Sequence, residues 1–301
     1  MTLSIMHASP IAKLASPVAI VCHDAGGANI ILSWLQMGGA ENCRLYLGGP
    51  AARLNASHGA FPVSGSLEEA LEGCRTLVSG TGWASELEHR ARVMAREKSI
   101  HSIAVLDHWV NYAERFQGPD RTVMPDEIWV TDPYALERAQ ALFPGTRLRQ
   151  FENSYLAGQV RRIAALPATG DMLYVLEPAR STWGGKLEGE FQALDFLVTT
   201  LPRLELPPAV PIRLRPHPSD PPGKYDDWIR AHPNLDVRLD LSRDMGEAIG
   251  PARWVAGCES FGLVLALEAG RTVFCTLPPW APACRLPHSG LLHLKSLELQ
   301  A

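Results

Sequence analysis

Residues able to do chemistry recur in this chain where an apolar run ends. The sharpest instance is Arg213-Leu214-Arg215-Pro216-His217-Pro218. Two prolines fix the backbone around one imidazole and present it rigidly beyond a strand. So placed, His217 could donate a proton to a departing phosphate near neutral pH. Satisfied by the loop backbone, it would be structural instead. The companion is Gly257-Cys258-Glu259-Ser260-Phe261-Gly262, followed by a Leu-rich helix and Glu268. Ser260 at a helix start could hold phosphate together with backbone N–H groups, or only cap the helix. A third segment, Glu177 to Lys186, sets Arg180 and Lys186 around a Gly-Gly pair, which suits a phosphate-bearing ligand or a solvated surface.

The first half offers carboxylates and glycines. His23-Asp24-Ala25-Gly26-Gly27-Ala28-Asn29 joins a strand to a helix. Gly26 and Gly27 there would let a ligand approach the backbone, and Asp24 would face it. The pattern is not GxGxxG, so no dinucleotide fingerprint is present. Gly80 and Gly82 in Ser79-Gly80-Thr81-Gly82-Trp83 would clear room at the same edge. Asp107-His108-Trp109 follows Ile103–Leu106 and could supply a general base or a local turn.

These segments need scaffolding, and the chain reads as alternating strands and helices. Strands are expected near Val18–Cys22, Arg44–Leu47, Thr76–Val78, Ile103–Leu106, Glu127–Val130 and Arg147–Phe151, with helices at Ala28–Met37, Ala84–Lys98 and Tyr134–Leu142. Leu87, Ala91 and Met94 should form the buried face of the second helix, with its charges elsewhere. Asp132 should cap the third, ahead of Pro133. The second half repeats the scheme from Met172–Leu176 to Val273–Thr276. Such alternation implies parallel sheets covered by helices on both faces. The expected organisation is α/β, two doubly wound domains, 1–166 and 167–301. A hinge at Tyr155–Leu166 and Pro167-Ala-Thr-Gly170 would leave a cleft at the carboxyl ends of the strands.

Composition removes several classes. The chain has 301 residues and a formal net charge of −4, without a basic stripe, so no nucleic-acid partner is expected. No apolar run nears the ~18 residues of a membrane span, and the first residues do not read as a secretory signal. The expected location is cytoplasmic. Six scattered cysteines without a CxxC pair read as reduced core thiols, and neither a disulfide framework nor a metal site is expected. Trp109, Trp183 and Trp280 could line a ligand site or pack in a core.

Over about residues 171–280 the second half resembles the donor domain of GT-B glycosyltransferases. His217-Pro218 with Ser260 downstream looks most like bacterial sialyltransferases that carry an HP motif. The first half is similar only as a generic Rossmann-like acceptor domain. The resemblance implies two Rossmann-like domains facing a cleft, a nucleotide-sugar donor on 167–301 and a glycan or other hydroxyl acceptor on 1–166. It casts His217 as general acid and Ser260 as a phosphate ligand, with Arg180, Lys186, Arg215, Glu259 and Glu268 about the donor. The acidic motif of those sialyltransferases has no clear copy, which leaves Asp24 and Asp107 as alternative bases. No cofactor or metal is implied. The work would be surface polysaccharide synthesis, from a CMP-activated acidic sugar in the sialyltransferase case. Peripheral membrane association is expected only for a lipid-linked acceptor. Glu259 and Glu268 are also similar to the paired glutamates of retaining GT-B enzymes, one residue further apart. Ser-Phe-Gly…Glu-Ala is similar to non-hydrolysing UDP-sugar 2-epimerases. An epimerase and a non-catalytic nucleotide- or glycan-binding protein therefore stand as alternatives.

Overall fold

A computed structural model of the chain describes residues 8–57, 60–82, 85–178, 181–207 and 209–298. The chain divides into two compact units, Met1–Tyr155 and Leu156–Ala301. Among the described residues no helix is long and apolar enough to cross a membrane.

The first unit runs β1 (Val18–Cys22), α1 (Ala25–Gln36), β2 (Cys43–Leu47), α2 (Gly49–Ser57), α3 (Leu67–Leu71), β3 (Thr76–Ser79), α4 (Leu87–Glu97), β4 (His101–Val105), β5 (Glu127–Val130), α5 (Pro133–Leu142) and β6 (Arg147–Gln150). α6 (Ser154–Arg162) starts at its end and lies mostly in the second unit. Its sheet is parallel throughout, in the order β2-β1-β3-β4-β5-β6. Successive side chains of a strand point to opposite faces, and β1 divides its residues that way. Val18, Ile20 and Cys22 join a core with Ile31, Trp34 and Trp129, while Ala19 and Val21 join Leu67, Leu77, Ala91 and Ala95 on the other face. Every residue of β1, β3 and β5 is buried, as in parallel strands covered on both faces, with Thr76, Ser79 and Glu127 the polar residues among them. Asp132 accepts from the Ala135 N–H at 2.7 Å and Pro133 opens α5, as expected.

α4 departs from the sequence reading. Its buried residues are Glu88, Ala91, Arg92 and Ala95, so two charged side chains face inward, while Leu87 and Met94 are only partly buried. Small Ala91 and Ala95 let the helix approach the sheet, and Glu88 and Arg92 reach past them to loop backbone that would otherwise lack partners.

The second unit contains β7 (Asp171–Val175), α7 (Gly189–Thr200), β8 (Ile212–Arg215), α8 (Asp226–Ala231), β9 (Val237–Leu239), α9 (Met245–Ile249), β10 (Ala252–Gly257), α10 (Phe261–Glu268), β11 (Thr272–Cys275), β12 (Leu291–His293) and α11 (Lys295–Glu298). The sheet is again parallel, ordered β12-β11-β10-β7-β8-β9. Met172, Tyr174, Leu194, Leu197, Ile212 and Leu214 form much of its core. The stretch expected to hinge is fastened here. Arg253 Nη1 donates to the Pro167 carbonyl at 2.9 Å, and Arg271 Nη2 to the Ala164 carbonyl at 2.7 Å. Gly170 lies where a Cβ would come within 2.7 Å of the Pro251 carbonyl.

Each sheet reverses its strand order beside a central strand, between β1 and β3 in one unit and between β7 and β10 in the other. Loops leaving such adjacent strands diverge to opposite faces and open a crevice at their carboxyl ends, where doubly wound sheets bind ligands.

Candidate functional site

The reversal point of the second sheet is built from the ends of β7 and β10. Gly257 closes β10, and a Cβ there would stand 2.7 Å from the Val175 carbonyl, so the two backbones meet only because this residue is glycine. Glu177, two residues beyond β7, accepts from the Glu259 N–H at 2.7 Å through Oε1. Burial, with the neighbouring Glu259 charge, pushes its carboxyl up to about 7 against the lowering effect of the Glu259 and Ser260 amides. Glu259 is itself held by Arg285, whose Nε donates at 2.9 Å to Oε1 and whose backbone N–H donates at 3.1 Å to Oε2. Ser260 is the N-cap of α10, its Oγ accepting from the Gly262 N–H at 3.1 Å. With the oxygen so engaged, the hydroxyl proton is still available to a ligand. The helix N-terminus behind it adds partial positive charge.

β8 lies on the other side of β7, so its end stands about 10 Å from that of β10, two strand spacings along one edge. There Asp220 organises the His217 loop. Its Oδ2 accepts from the His217 N–H at 2.9 Å and the Tyr225 hydroxyl at 3.0 Å, and its Oδ1 from Lys224 Nζ at 2.8 Å. Burial works against ionisation of Asp220, but the bonds from Lys224, His217 and Tyr225 outweigh it and hold the carboxyl below the usual range. The imidazole is exposed. Its Nδ1 lies 2.7 Å from Ser219 Oγ and 3.2 Å from the Ser219 amide nitrogen. A backbone N–H can only donate, so Nδ1 is the acceptor and the neutral ring carries its proton on Nε2.

The other expected donor-site residues are placed differently. Arg215 Nη1 donates to Asp240 Oδ2 at 2.5 Å and the Ser242 carbonyl at 3.0 Å, so its guanidinium ties β8 to the turn after β9. Glu268 is exposed at the far end of α10, roughly 12 Å along the axis from Ser260 at 1.5 Å per residue. Glu259 and Glu268 thus do not form one cluster. Lys186 is exposed on the loop before α7, and Arg180 lies outside the described residues. Trp280 is exposed and donates to Gln192 Oε1 at 2.7 Å, Trp183 packs partly against the Cys258–Cys275 cluster, and Trp109 is core.

In the first unit the three loops named in the sequence meet at the reversal point. A Cβ on Gly26 would stand 1.6 Å from Asp107 Oδ2, one on Gly82 2.4 Å from Asp24 Cγ, one on Gly27 3.1 Å from Gly80 Cα, and one on Gly80 3.2 Å from Glu88 Oε1. The four glycines therefore make space for the chain's own carboxylates and backbone. Asp107 Oδ1 accepts from Arg115 Nη1 at 2.5 Å, and the same nitrogen donates to Thr81 Oγ1 at 3.0 Å. Asp24 Oδ1 lies 2.7 Å from His23 Nδ1, both side chains being 23% accessible. His108 instead accepts the Trp109 N–H at 2.9 Å, a local turn contact.

Three features escaped the sequence reading. Glu177 occupies the same place after β7 as Asp24 after β1, and that parallel was visible. Buried Glu88 and Arg92 were not, because their targets are distant loops: Glu88 Oε1 accepts the His23 N–H at 2.7 Å, and Arg92 reaches the Val123, Gly80 and Arg115 carbonyls. Burial raises Glu88, whose Oε2 is buried without a hydrogen-bond partner among the described residues. Arg285 lies 26 positions from its partner Glu259.

The raised Glu177 gives a testable pH dependence. A folded carboxyl near 7 keeps a proton that the unfolded chain releases near 4.5. Stability should therefore fall as pH rises from about 4.5 through about 7, by up to about 3 kcal/mol at ~1.4 kcal/mol per unit. Glu177→Gln should flatten that stretch of the urea midpoint against pH; an unaltered slope would place the effect elsewhere.

No family model matches the chain, and no curated protein matches it. Solved structures do. A putative UDP-N-acetylglucosamine 2-epimerase from Listeria monocytogenes is 13% identical with a TM-score of 0.57, covering 95% of this chain and 88% of its own. The UDP-GlcNAc 2-epimerase from Methanocaldococcus jannaschii is 8% identical with a TM-score of 0.57, covering 86% and 83%. MurG from Acinetobacter baumannii is 12% identical with a TM-score of 0.50, covering 94% and 89%. At such identities the likeness is one of fold. The chain has the α/β fold of two Rossmann-like parallel-sheet domains that the resemblance to GT-B enzymes implied.

Proposed function

We propose that the protein is a glycosyltransferase that moves a sugar from a nucleotide-activated donor to a hydroxyl acceptor. The observation that carries this reading is the carboxyl edge of the second sheet. There Ser260 and the α10 N-terminus form a phosphate-binding end, and His217 presents Nε2–H from a loop pinned by Asp220. The donor phosphate sits on Ser260 Oγ–H and the α10 amides. As the acceptor oxygen bonds to the anomeric carbon, the bond from that carbon to the phosphate oxygen breaks with its electron pair left on the phosphate. His217 offsets the developing charge with a hydrogen bond from Nε2–H, keeping its proton. Amides and imidazole offset the leaving-group charge without a metal at the phosphate. Asp24 and Asp107 are the candidate carboxylates for the base that takes the acceptor proton. A CMP-activated acidic sugar is the donor that the HP-motif resemblance favours.

Ser260→Gly separates ligand binding from capping. Glycine costs a helix N-terminus only a few tenths of a kcal/mol relative to serine. Thermal stability should hardly move, whereas nucleotide affinity should drop by about 0.5–3 kcal/mol for the lost hydrogen bond. Unchanged affinity would remove Ser260 from the site.

The activity is tested by incubating the protein with CMP-, UDP- and GDP-sugars, with and without a panel of hydroxyl acceptors, and following products by NMR and mass spectrometry. Sugar transferred to an acceptor is the expected result. An epimerised UDP-N-acetylhexosamine formed without acceptor would make the protein an epimerase instead. Binding without either product would make it a binding protein.

A further inference from the structure

We propose that Cys275, Cys284 and His293 form a binding site for a thiophilic divalent cation of the zinc class. Cys275 ends β11 and His293 ends β12, and the two are direct partners in the parallel register. Register partners on adjacent parallel strands project to the same face about 4.8 Å apart, so the sheet itself fixes two of the donors. Cys284 enters from the loop between those strands. One donor atom from each of the three residues lies within 4.8 Å of the others. Ligands about a tetrahedral zinc, with Zn–S ~2.3 Å and Zn–N ~2.0 Å, stand ~3.5–3.8 Å apart. A shift of about an ångström closes that gap.

The surroundings also suit an ion. Cys275 Sγ donates to the Cys258 carbonyl at 3.2 Å, and Cys284 Sγ lies 3.9 Å from the same oxygen, so both sulfurs are already drawn to one point. Two thiolates and an imidazole select zinc-class cations over the oxygen-seeking magnesium or calcium. On binding, both thiol protons pass to solvent, His293 coordinates as the neutral ring, and a water completes four ligands. A disulfide between the two cysteines would account for the sulfurs but not for the imidazole beside them.

The spacing, Cys-x8-Cys-x8-His, is unlike the short knuckles by which zinc sites are usually recognised, which is why the sequence reading set a metal aside. The ion would fasten the proline-rich loop 276–290 to the sheet. Arg285, which holds Glu259 at the reversal point, directly follows Cys284 on that loop. The proposal rests on the cluster alone and does not depend on the transferase reading.

The test is a cobalt titration of the full chain, reduced and stripped with chelator. The wild type should take up one Co2+, with a sulfur-to-cobalt charge-transfer band and intense tetrahedral visible bands, and Zn2+ should displace it. Cys284→Ser should weaken binding by more than the ~100-fold upper end seen when only an outer-shell partner is lost. His293→Gln should alter the visible bands, and Cys43→Ser, outside the cluster, should change nothing. Absence of the charge-transfer band from reduced wild-type protein would overturn the proposal whether or not the variants fold. So would recovery of a Cys275–Cys284 disulfide that persists through reduction.

Discussion

Replacing Arg213 by methionine is expected to destabilise the protein by about 3–5 kcal/mol, the cost of removing one partner from a buried ion pair. Arg213 is buried on β8 and grips Asp171 with two bonds, Nε to Oδ2 at 2.6 Å and Nη2 to Oδ1 at 3.0 Å. Its Nη1 donates to Asp240, and Nη2 also donates to the Ala248 carbonyl at 2.7 Å, so one guanidinium joins β7, β8, the end of β9 and α9. Burial opposes ionisation of Asp240, but bonds from Ser242 and Arg215 and the Arg213 charge outweigh it and hold the carboxyl below the usual range. A depressed folded value adds stability above about pH 4 that is lost as pH falls through that value. Methionine fills the volume but leaves Asp171 and Asp240 facing each other without the central charge. The deficit should be largest near pH 7 and shrink towards pH 4, as the stranded carboxylates take up protons. Urea unfolding at both pH values measures it. A loss below 1 kcal/mol at pH 7 would show that the network does not hold the sheet together.

His217→Ala should lower turnover by about 10²–10³-fold, the range for losing one hydrogen-bond donor to a developing negative charge. Three observations make the loss specific. Nδ1 bonds only to Ser219 within the same exposed loop, the proton is on Nε2, and the His217 backbone N–H still holds the loop to Asp220 when the ring is gone. The fold should therefore survive, with stability within about 0.5 kcal/mol, as for exposed side chains away from a structural feature. Nucleotide affinity should fall less than turnover, because Ser260 and the α10 amides remain. Steady-state kinetics on the folded variant separates the two effects. Unchanged turnover per folded molecule would make His217 a loop residue and nothing more.

Much of the scaffold is legible because β-branched runs alternate with helical ones. β1 and β5 fall where the pattern puts them, and Asp132-Pro133 marks the start of α5. Missed elements are those whose sequence carries little periodic signal. α2 buries only Ala51 and Asn55, α3 has five residues and β12 three. The face of α4 was misjudged because buried Glu88 and Arg92 look like solvent-facing charges until their loop partners are known. The sites followed the same division. Asp24, Asp107, His217 and Ser260 could be located because each directly follows a strand or opens a helix. Roles assigned by charge alone fared differently, since a guanidinium such as Arg215 serves phosphate or Asp240 according to what folding brings near it. The Cys275–Cys284–His293 cluster depends on strand register, which local spacing does not reveal.

Isothermal titration of the intact chain with CMP, UDP, GDP and ADP tests the central claim most directly, namely that the carboxyl edge of the second sheet is a nucleotide site. The account predicts saturable one-to-one binding of at least one nucleotide, with Kd between about 1 μM and 1 mM, or roughly −8 to −4 kcal/mol. That binding should weaken in Ser260→Gly. Folded protein that takes up none of the four at millimolar concentration would contradict it.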